Sequence, residues 1–368
     1  MRTVRRLLYR DICGSVIFVA AAFLSLFFFI DIVDELDKVG RKGYTVGGAL
    51  LAGVLDMPGH FYELFPIAVL IGTIYSMSRL AQSSEFTILH TGGLGPGRAL
   101  LLLAGLGSAF AVLTFVIGDY IAPLSERQGV LLKSQYQGGR ELGKAGAWLK
   151  DRRSTPEGDR SVSVNVQRTT ADGELQGIRI FEFDRDGRLT ARVGAARGRI
   201  SDQGHWELQD ATVTRWPVQI EGARLVDERH AQVQWPTSLT GDVVAAAVLP
   251  VSTMSTVELW RYSSHLTDQE QAAQRHAILF WKKALYPFAC LVMMGLALPF
   301  AYLHARSGGV SLKVFGGILL GISFVLLNNV ASHLGLLRNW TPWVVAATPS
   351  LLYLLMSMAA FTWLVRYR

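Results

Sequence analysis

"ICGSVIFVAAAFLSLFFFI", residues Ile12–Ile30, runs without a single charge. A helix needs about 20 such residues to cross a hydrocarbon layer. Arg2, Arg5, Arg6 and Arg10 precede the run, Phe27, Phe28 and Phe29 close it, and no small-residue cleavage site follows. These features argue for a retained span over a removed signal peptide. Further apolar runs cover roughly Val54–Met77, Leu100–Tyr120, Ile278–Tyr302, Val310–Ser332 and Trp343–Leu364. The expected fold class is an integral membrane α-helical protein whose six transmembrane helices are grouped three and three around a polar insert.

Composition agrees with this division. Of the 368 residues half are apolar and 18% are charged, which is too oily for a soluble protein and too interrupted for a pure membrane bundle. The expected domains are 1–120, the first three spans; 121–275, the insert; and 276–368, the last three spans. With the N-terminus inside, the short inner segments hold Arg2, Arg5, Arg6, Arg10, Arg79, Arg98, Arg306, Lys313, Arg366 and Arg368. The short outer segments hold only Lys38, Arg41, Lys42 and Arg338. Basic residues favour the cytoplasmic side, so both termini are expected there and the insert outside. The net charge of +7 is then split between compartments and does not imply nucleic acid as a partner. Cys13 and Cys290 both fall in apolar runs, so neither a disulfide nor a metal site is expected.

Inside the insert the texture changes to short alternating runs. "SVSVNV" puts Val162, Val164 and Val166 on one face, and Leu225, Ala231, Val233 and Trp235 share a parity. Further strands are expected over Gly177–Phe183, Arg188–Ile200 and His205–Trp216, with turn signals at Asp172-Gly173, Asp186-Gly187 and Gln203-Gly204. Strands at this spacing predict an antiparallel sandwich or jelly roll. His205, His230 and His265 lack metal-ligand spacing and read as surface or turn residues.

Several charges lie near membrane depth. Glu63, three residues before Pro66, is either a functional carboxylate inside the second span or a solvated group at its outer end. Asp31, Asp34, Glu35, Asp37 and Lys38 read as a solvated helix end. Lys282 and Lys283, beside Trp281 and Tyr286, fit snorkelling cations with aromatic anchors, and would also suit a phosphorylated lipid. Gly308, Gly309, Gly316, Gly317 and Gly321 allow close approach or sliding of the fifth span. Phe23, Phe27, Phe28, Phe315 and Phe324 read as packing or lipid-facing side chains. No G-x-x-x-x-G-K-[ST] sequence occurs, so nucleotide-driven work would need another subunit.

Between the second and third runs lies "RLAQSSEFTILHTGG", residues 79 to 93. Ser83 or Ser84 can cap a short helix, Glu85 suits its first turn and Gly92 or Gly93 can end it. About two turns of helix are unstable alone and lean on a partner or the bilayer. Phe86, Ile88 and Leu89 offer apolar contacts. A plain surface helix is the alternative.

This segment, with Ser84-Glu85 and Gly92, resembles the coupling-helix segment of the LptF/LptG (YjgP/YjgQ) family, the permease subunits of the lipopolysaccharide export ABC transporter. "VDELDKVG", "ELFPIAVLIG", "IGDYIAPLSE" and "FWKKALYPFACLVMM" are similar to family segments in the same order, and "VDELDKVG" and "IGDYIAP" look more like the LptG branch than the LptF branch. The resemblance implies a non-catalytic half-transporter without cofactors in the bacterial inner membrane. It also implies an LptF-like paralogous permease, an LptB-like ATPase dimer, an LptC-like single-span protein and an LptA-like periplasmic bridge as partners, with a periplasmic β-jelly-roll and lipopolysaccharide as cargo. The ATPase-coupling residues would be Ser84, Glu85, Phe86, Ile88, Leu89 and Gly92, Glu85 meeting an LptB arginine. For lipid phosphates the candidates are Lys38, Arg41, Lys42 and Lys283; for acyl chains, Leu64, Phe65 and Phe324. Asp31 and Asp37 stand where LptG members commonly place lysines. The rival readings are the LptF paralogue, a cell-division or lipoprotein-release permease, and a membrane-anchored periplasmic binding or structural protein without transport.

Overall fold

The computed structural model describes residues 2–40, 43–83, 95–137, 140–141, 147–155, 158–169, 174–201, 205–216, 226–237, 239, 253–265, 270–302 and 309–366. Two compact units emerge. The membrane unit comprises Met1–Asp37, Gly53–Glu126 and Ser255–Arg368, and the β unit Lys38–Ala52 and Arg127–Met254.

In chain order the helices are α1 (Arg2–Leu36), α2 (Val46–Gln82), α3 (Pro96–Val116) and, after a π turn at Ile117–Ile121, α4 (Ala122–Gln137). After the sheet come α5 (Thr256–His265), α6 (Glu270–Leu285), a 3-10 turn at Tyr286–Phe288, α7 (Ala289–Tyr302), α8 (Val310–Leu337) and α9 (Pro342–Arg366). Among the described residues, six segments are long and apolar enough to cross a membrane: Val4–Leu36, Val46–Gln82, Gly97–Lys133, Ala273–Phe300, Val310–Leu337 and Pro342–Trp363. The six apolar runs are therefore six helices, grouped three and three as expected.

The second span is the hub: 78% of its most apolar window is buried within the chain, against 11% for the first. One face of α2, with Phe65, Ala68, Val69 and Met77, joins Leu8, Ile12 and Val16 of α1 and Leu103 and Leu106 of α3. Its other face, with Leu70 and Ile74, joins Met293 and Ala297 of α7, Phe324 of α8 and Tyr353 of α9. Small residues set these distances. A Cβ on Gly72 would lie 2.7 Å from the backbone of Val16, and Cβ atoms on Gly317 and Gly321 would lie 2.7 Å and 2.6 Å from the side chains of Ile74 and Ile67. Close approach through glycine is how membrane helices gain dispersion contact where no water drives them together. Gly316 has open space by comparison, its nearest neighbour being Phe300 at 4.0 Å, and Gly308 lies outside the described residues.

Seven strands make one antiparallel sheet: β1 (Arg140–Glu141), β2 (Ala147–Thr155), β3 (Gly158–Thr169), β4 (Leu175–Phe183), β5 (Leu189–Ser201), β6 (His205–Arg215) and β7 (Val226–Pro236). From β2 to β7 each strand pairs with its sequence neighbour, and β1 also pairs with β3. The expected antiparallel all-β domain, placed between three spans and three, is thus present. Alternation fixes its register: Val164, Ile180, Val193 and Val213 stand side by side across β3 to β6, as do Val166, Ile178, Ala195 and Ala211. All eight are buried in one cluster, to which Leu149, Trp206, Leu208 and Leu239 belong. A one-residue slip would turn every one of them to the opposite face. Trp206 Nε1 donates to the Leu239 carbonyl at 3.3 Å, which draws the chain after β7 back over the core. Val233 and Trp235 of β7 pack on this cluster, Ala231 is exposed, and Leu225 lies outside the described residues.

Candidate functional site

Charged and polar groups of the membrane unit gather at one level of α2, over residues 59–63. His60 Nε2 lies 2.8 Å from Asp31 Oδ2 of α1, with the Phe27 ring 5.0 Å from the imidazole. One residue away, Gly59 leaves room for the Glu126 carboxylate, whose Oε1 would lie 2.6 Å from a Cβ there. Tyr62 packs flat against the π turn, where a Cβ on Gly118 would come within 2.2 Å of its ring. Its hydroxyl donates to the Lys283 carbonyl at 3.4 Å, and its ring lies 4.9 Å from that of Tyr286.

A proline inside a helix removes one backbone donor and pushes the preceding turn's carbonyls outward. The Tyr286 hydroxyl donates to the carbonyl of Glu63, three residues before Pro66. α2 stays a continuous helix through both Pro58 and Pro66, and the Tyr286 hydroxyl adds a second element's hold on the turn before Pro66. The Glu63 side chain is exposed. Lys282 Nζ donates to Asn329 Oδ1 of α8 at 3.5 Å, and Thr114 Oγ1 lies 3.3 Å from the Cys290 sulfur.

Asp119, in the π turn and 8% exposed, accepts the Thr256 backbone N–H on Oδ1 at 2.6 Å. Ser255 and Glu258 cap the same helix reciprocally: the Ser255 N–H donates to Glu258 Oε2 at 2.8 Å, and the Glu258 N–H to Ser255 Oγ at 3.3 Å. A capping box plus a third acceptor satisfies the first donors of α5 and ties its start to the third span.

The opposite end of α2 is marked by Arg79, which donates to Asp11 of α1 at 2.7 Å, and by the Tyr9 hydroxyl, which donates to the Leu102 carbonyl at 2.9 Å. Ser83 closes α2, its N–H donating to the Arg79 carbonyl at 3.0 Å and its hydroxyl to the Leu80 carbonyl at 3.3 Å. Of the two serines offered as a cap for the next helix, Ser83 therefore ends the preceding one. Ser84, Glu85, Phe86, Ile88, Leu89 and Gly92 lie outside the described residues, as do Arg41 and Lys42.

Lys38 is exposed in the turn after α1. Leu64 and Lys283 are half-buried. Phe65, 3% exposed, stacks on Phe61 at 4.5 Å and meets Phe110 edge-on at 5.5 Å, whereas Phe324, 1% exposed, meets Tyr353 edge-on at 5.2 Å. These two phenylalanines sit in separate clusters on opposite faces of α2. Sequence reading passed over the Asp31–His60 and Asp11–Arg79 pairs, because partners on antiparallel helices carry no fixed spacing. Asp119 was visible only as part of "IGDYIAP". Among the described residues, no three His, Cys, Asp or Glu side chains come together as a metal site.

Among the described residues, six helices long and apolar enough to cross a membrane, three on either side of an inserted antiparallel sheet, define a multi-pass membrane protein. Residues 6–365 match the family described as lipopolysaccharide export system permease LptF/LptG, and the chain belongs to that family. It is similar to the lipopolysaccharide export system permease protein LptG of Escherichia coli strain K12, with 29% identity over 340 residues that cover 91% of each chain. The LptG of Haemophilus influenzae is 26% identical over 359 residues, 97% of each chain. The chain is thus a multi-pass inner-membrane protein and a permease component of lipopolysaccharide export.

Proposed function

We propose that this chain is the LptG-type half of a heteromeric ABC exporter that extracts lipopolysaccharide from the outer leaflet of the inner membrane. The observation that carries the reading is the family match over residues 6–365, laid on an architecture of three spans, sheet and three spans. Its other half is an LptF-like permease. ATP is hydrolysed by an LptB-like dimer, an LptC-like single-span protein joins the complex, and an LptA-like bridge receives the lipid. The termini and the 84–93 segment face the cytoplasm, and the β unit faces the periplasm. This agrees with the basic residues of the short loops.

The segment 84–93 leaves α2 at the end marked by Asp11 and Arg79, the opposite end from the Asp31–His60 level. It is the coupling segment, with Glu85 as the charge that an ATPase arginine meets. Lys38, Arg41, Lys42 and Lys283 meet lipid phosphates, and the half-buried Leu64 borders the acyl-chain cavity, with Phe65 and Phe324, buried in separate clusters, supporting the helices that form it. Exposing acyl chains to water costs about 0.8 kcal/mol per CH₂, so an apolar shelter during transfer is a physical requirement.

The test is native mass spectrometry of the tagged chain, gently solubilised from its own membranes. A second permease, an ATPase dimer and lipopolysaccharide in one assembly are expected. A chain that runs alone, under conditions that keep a control ABC complex intact, would overturn the reading in favour of an anchored binding protein.

A further inference from the structure

The face of the sheet turned away from the apolar core carries a cleft of about 480 Å³. Gly194 of β5 is its floor, opposite Arg179 of β4 on one side and Thr212 of β6 on the other. A Cβ added to Gly194 would meet nothing within 4 Å, so the space exists because that position has no side chain. Arg192, two residues before Gly194 on β5, is a diagonal neighbour of Arg179, a relation that on a sheet corresponds to about 7–8 Å. Both arginines are exposed, and among the described residues neither makes an ion pair. The one carboxylate bordering the cleft, Asp227, already accepts the Thr214 hydroxyl at 2.6 Å.

Neighbouring like charges on a sheet are unfavourable unless something neutralises them. Two forked guanidinium groups at this separation match the oxygens of one phosphate or carboxylate. Beside them lies an aromatic platform. The Arg192 guanidinium sits 5.9 Å from the centroid of the Phe181 ring, and Phe181 stacks on Trp148 at 6.0 Å with 22° between the planes. Trp148 is 56% exposed, a large apolar surface left in water next to a cationic cleft. The hydroxyls of Thr212 and Thr214 and the amide of Gln167 complete the border with groups that can donate and accept. An anion, a flat apolar ring face and several hydroxyls are the features of a charged sugar.

We propose that this cleft binds an anionic saccharide, its phosphate or carboxylate held by Arg179 and Arg192 and its ring lying toward Phe181 and Trp148. The proposal rests on the lipopolysaccharide reading, since the saccharide is the part of that cargo that stays in water while its acyl chains are sheltered. It gives the outward face of the sheet a task separate from the apolar face: holding the headgroup.

Isothermal titration of the full-length protein in detergent tests it, with three probes: a deacylated, phosphorylated core oligosaccharide from lipopolysaccharide, glucose 6-phosphate, and inorganic phosphate. The oligosaccharide is expected to bind, with Arg179→Gln and Arg192→Gln each weakening it about tenfold, the worth of one charge-assisted hydrogen bond. Gly194→Leu puts a side chain into the cleft from a Cβ that meets nothing within 4 Å, and is expected to abolish binding while thermal unfolding stays at the wild-type temperature. Preference for the oligosaccharide identifies the cargo as the source; preference for glucose 6-phosphate keeps the anionic-saccharide site and assigns it to free sugar phosphates. Inorganic phosphate binding as tightly as either sugar, no binding of any probe, or binding indifferent to Gly194→Leu would overturn the proposal. The deacylated probe cannot occupy an acyl-chain cavity, so its failure sinks the cleft alone, whereas failure of lipopolysaccharide to co-purify with the complex sinks the export reading.

Discussion

Asp119 is a buried polar group in the π turn of the third span, and it accepts a backbone N–H at the start of α5. Replacing it with Ala leaves that donor unpaired; Asp119→Ala is expected to cost about 1–2 kcal/mol, read as a lower unfolding temperature in detergent. Tyr286 makes a similar backbone contact on α2, where its hydroxyl meets the Glu63 carbonyl. Tyr286→Phe keeps the ring against Tyr62 and removes only that donor, so a smaller loss of about 1 kcal/mol is expected by the same measurement. Neither role was legible in the sequence. Glu63 and Tyr286 stand 223 positions apart in the numbering, and only the fold brings that hydroxyl to that carbonyl. Glu63 drew attention for its carboxylate, yet it is its backbone oxygen that the structure engages.

The spans were legible because hydropathy over about 20 residues is a strong signal, and their ends were not. Val54 looked like the start of the second span, but α2 begins at Val46, where Thr45 caps it by accepting the Gly48 N–H at 3.2 Å. "VGGALLAG" is too small-residued to stand out by hydropathy, and the cap was the better clue. The third span likewise does not stop where polarity rises at Ile121, since α4 carries the helix on to Gln137. In the sheet, alternation put Val162, Val164 and Val166 on the buried face and placed β4 to β6 within two residues of their observed bounds. Helix contacts give an ordered prediction. Gly72→Ala meets the Val16 backbone, whereas Gly317→Ala meets Cδ1 of Ile74, a side-chain end that can swing away. The Gly72 variant is therefore expected to lose about 1–3 kcal/mol and the Gly317 variant clearly less, as thermal-shift assays of the two purified proteins would reveal. A reversed order would mean that α1 is free to shift against α2.

For the molecule as a whole, the order of three spans, sheet and three spans was legible, and so was the family. The site was less so. Residues chosen for lipid contact divide among an exposed turn at Lys38, a half-buried level at Leu64 and Lys283, and two buried clusters holding Phe65 and Phe324. Sequence names the residue types that suit a lipid but does not say which of them the chain uses to hold itself together. Charge reversal at Glu85 is expected to uncouple hydrolysis from export, with ATPase activity retained in the assembled complex and lipopolysaccharide release lost; unchanged release in reconstituted vesicles would remove Glu85 from that role. The π turn at Ile117–Ile121 has a consequence for the whole third span. Such a turn absorbs one extra residue within an α-helix, so the helix after it keeps its phase. Deleting a single residue inside the turn would let the helix run regular with its later side chains still on their faces, whereas deleting one in α4 beyond it would rotate each following side chain by about 100°. In the second case, with the deletion placed before Glu126, that carboxylate would swing away from the space that Gly59 keeps for it, so the π turn marks where this span tolerates a change in length.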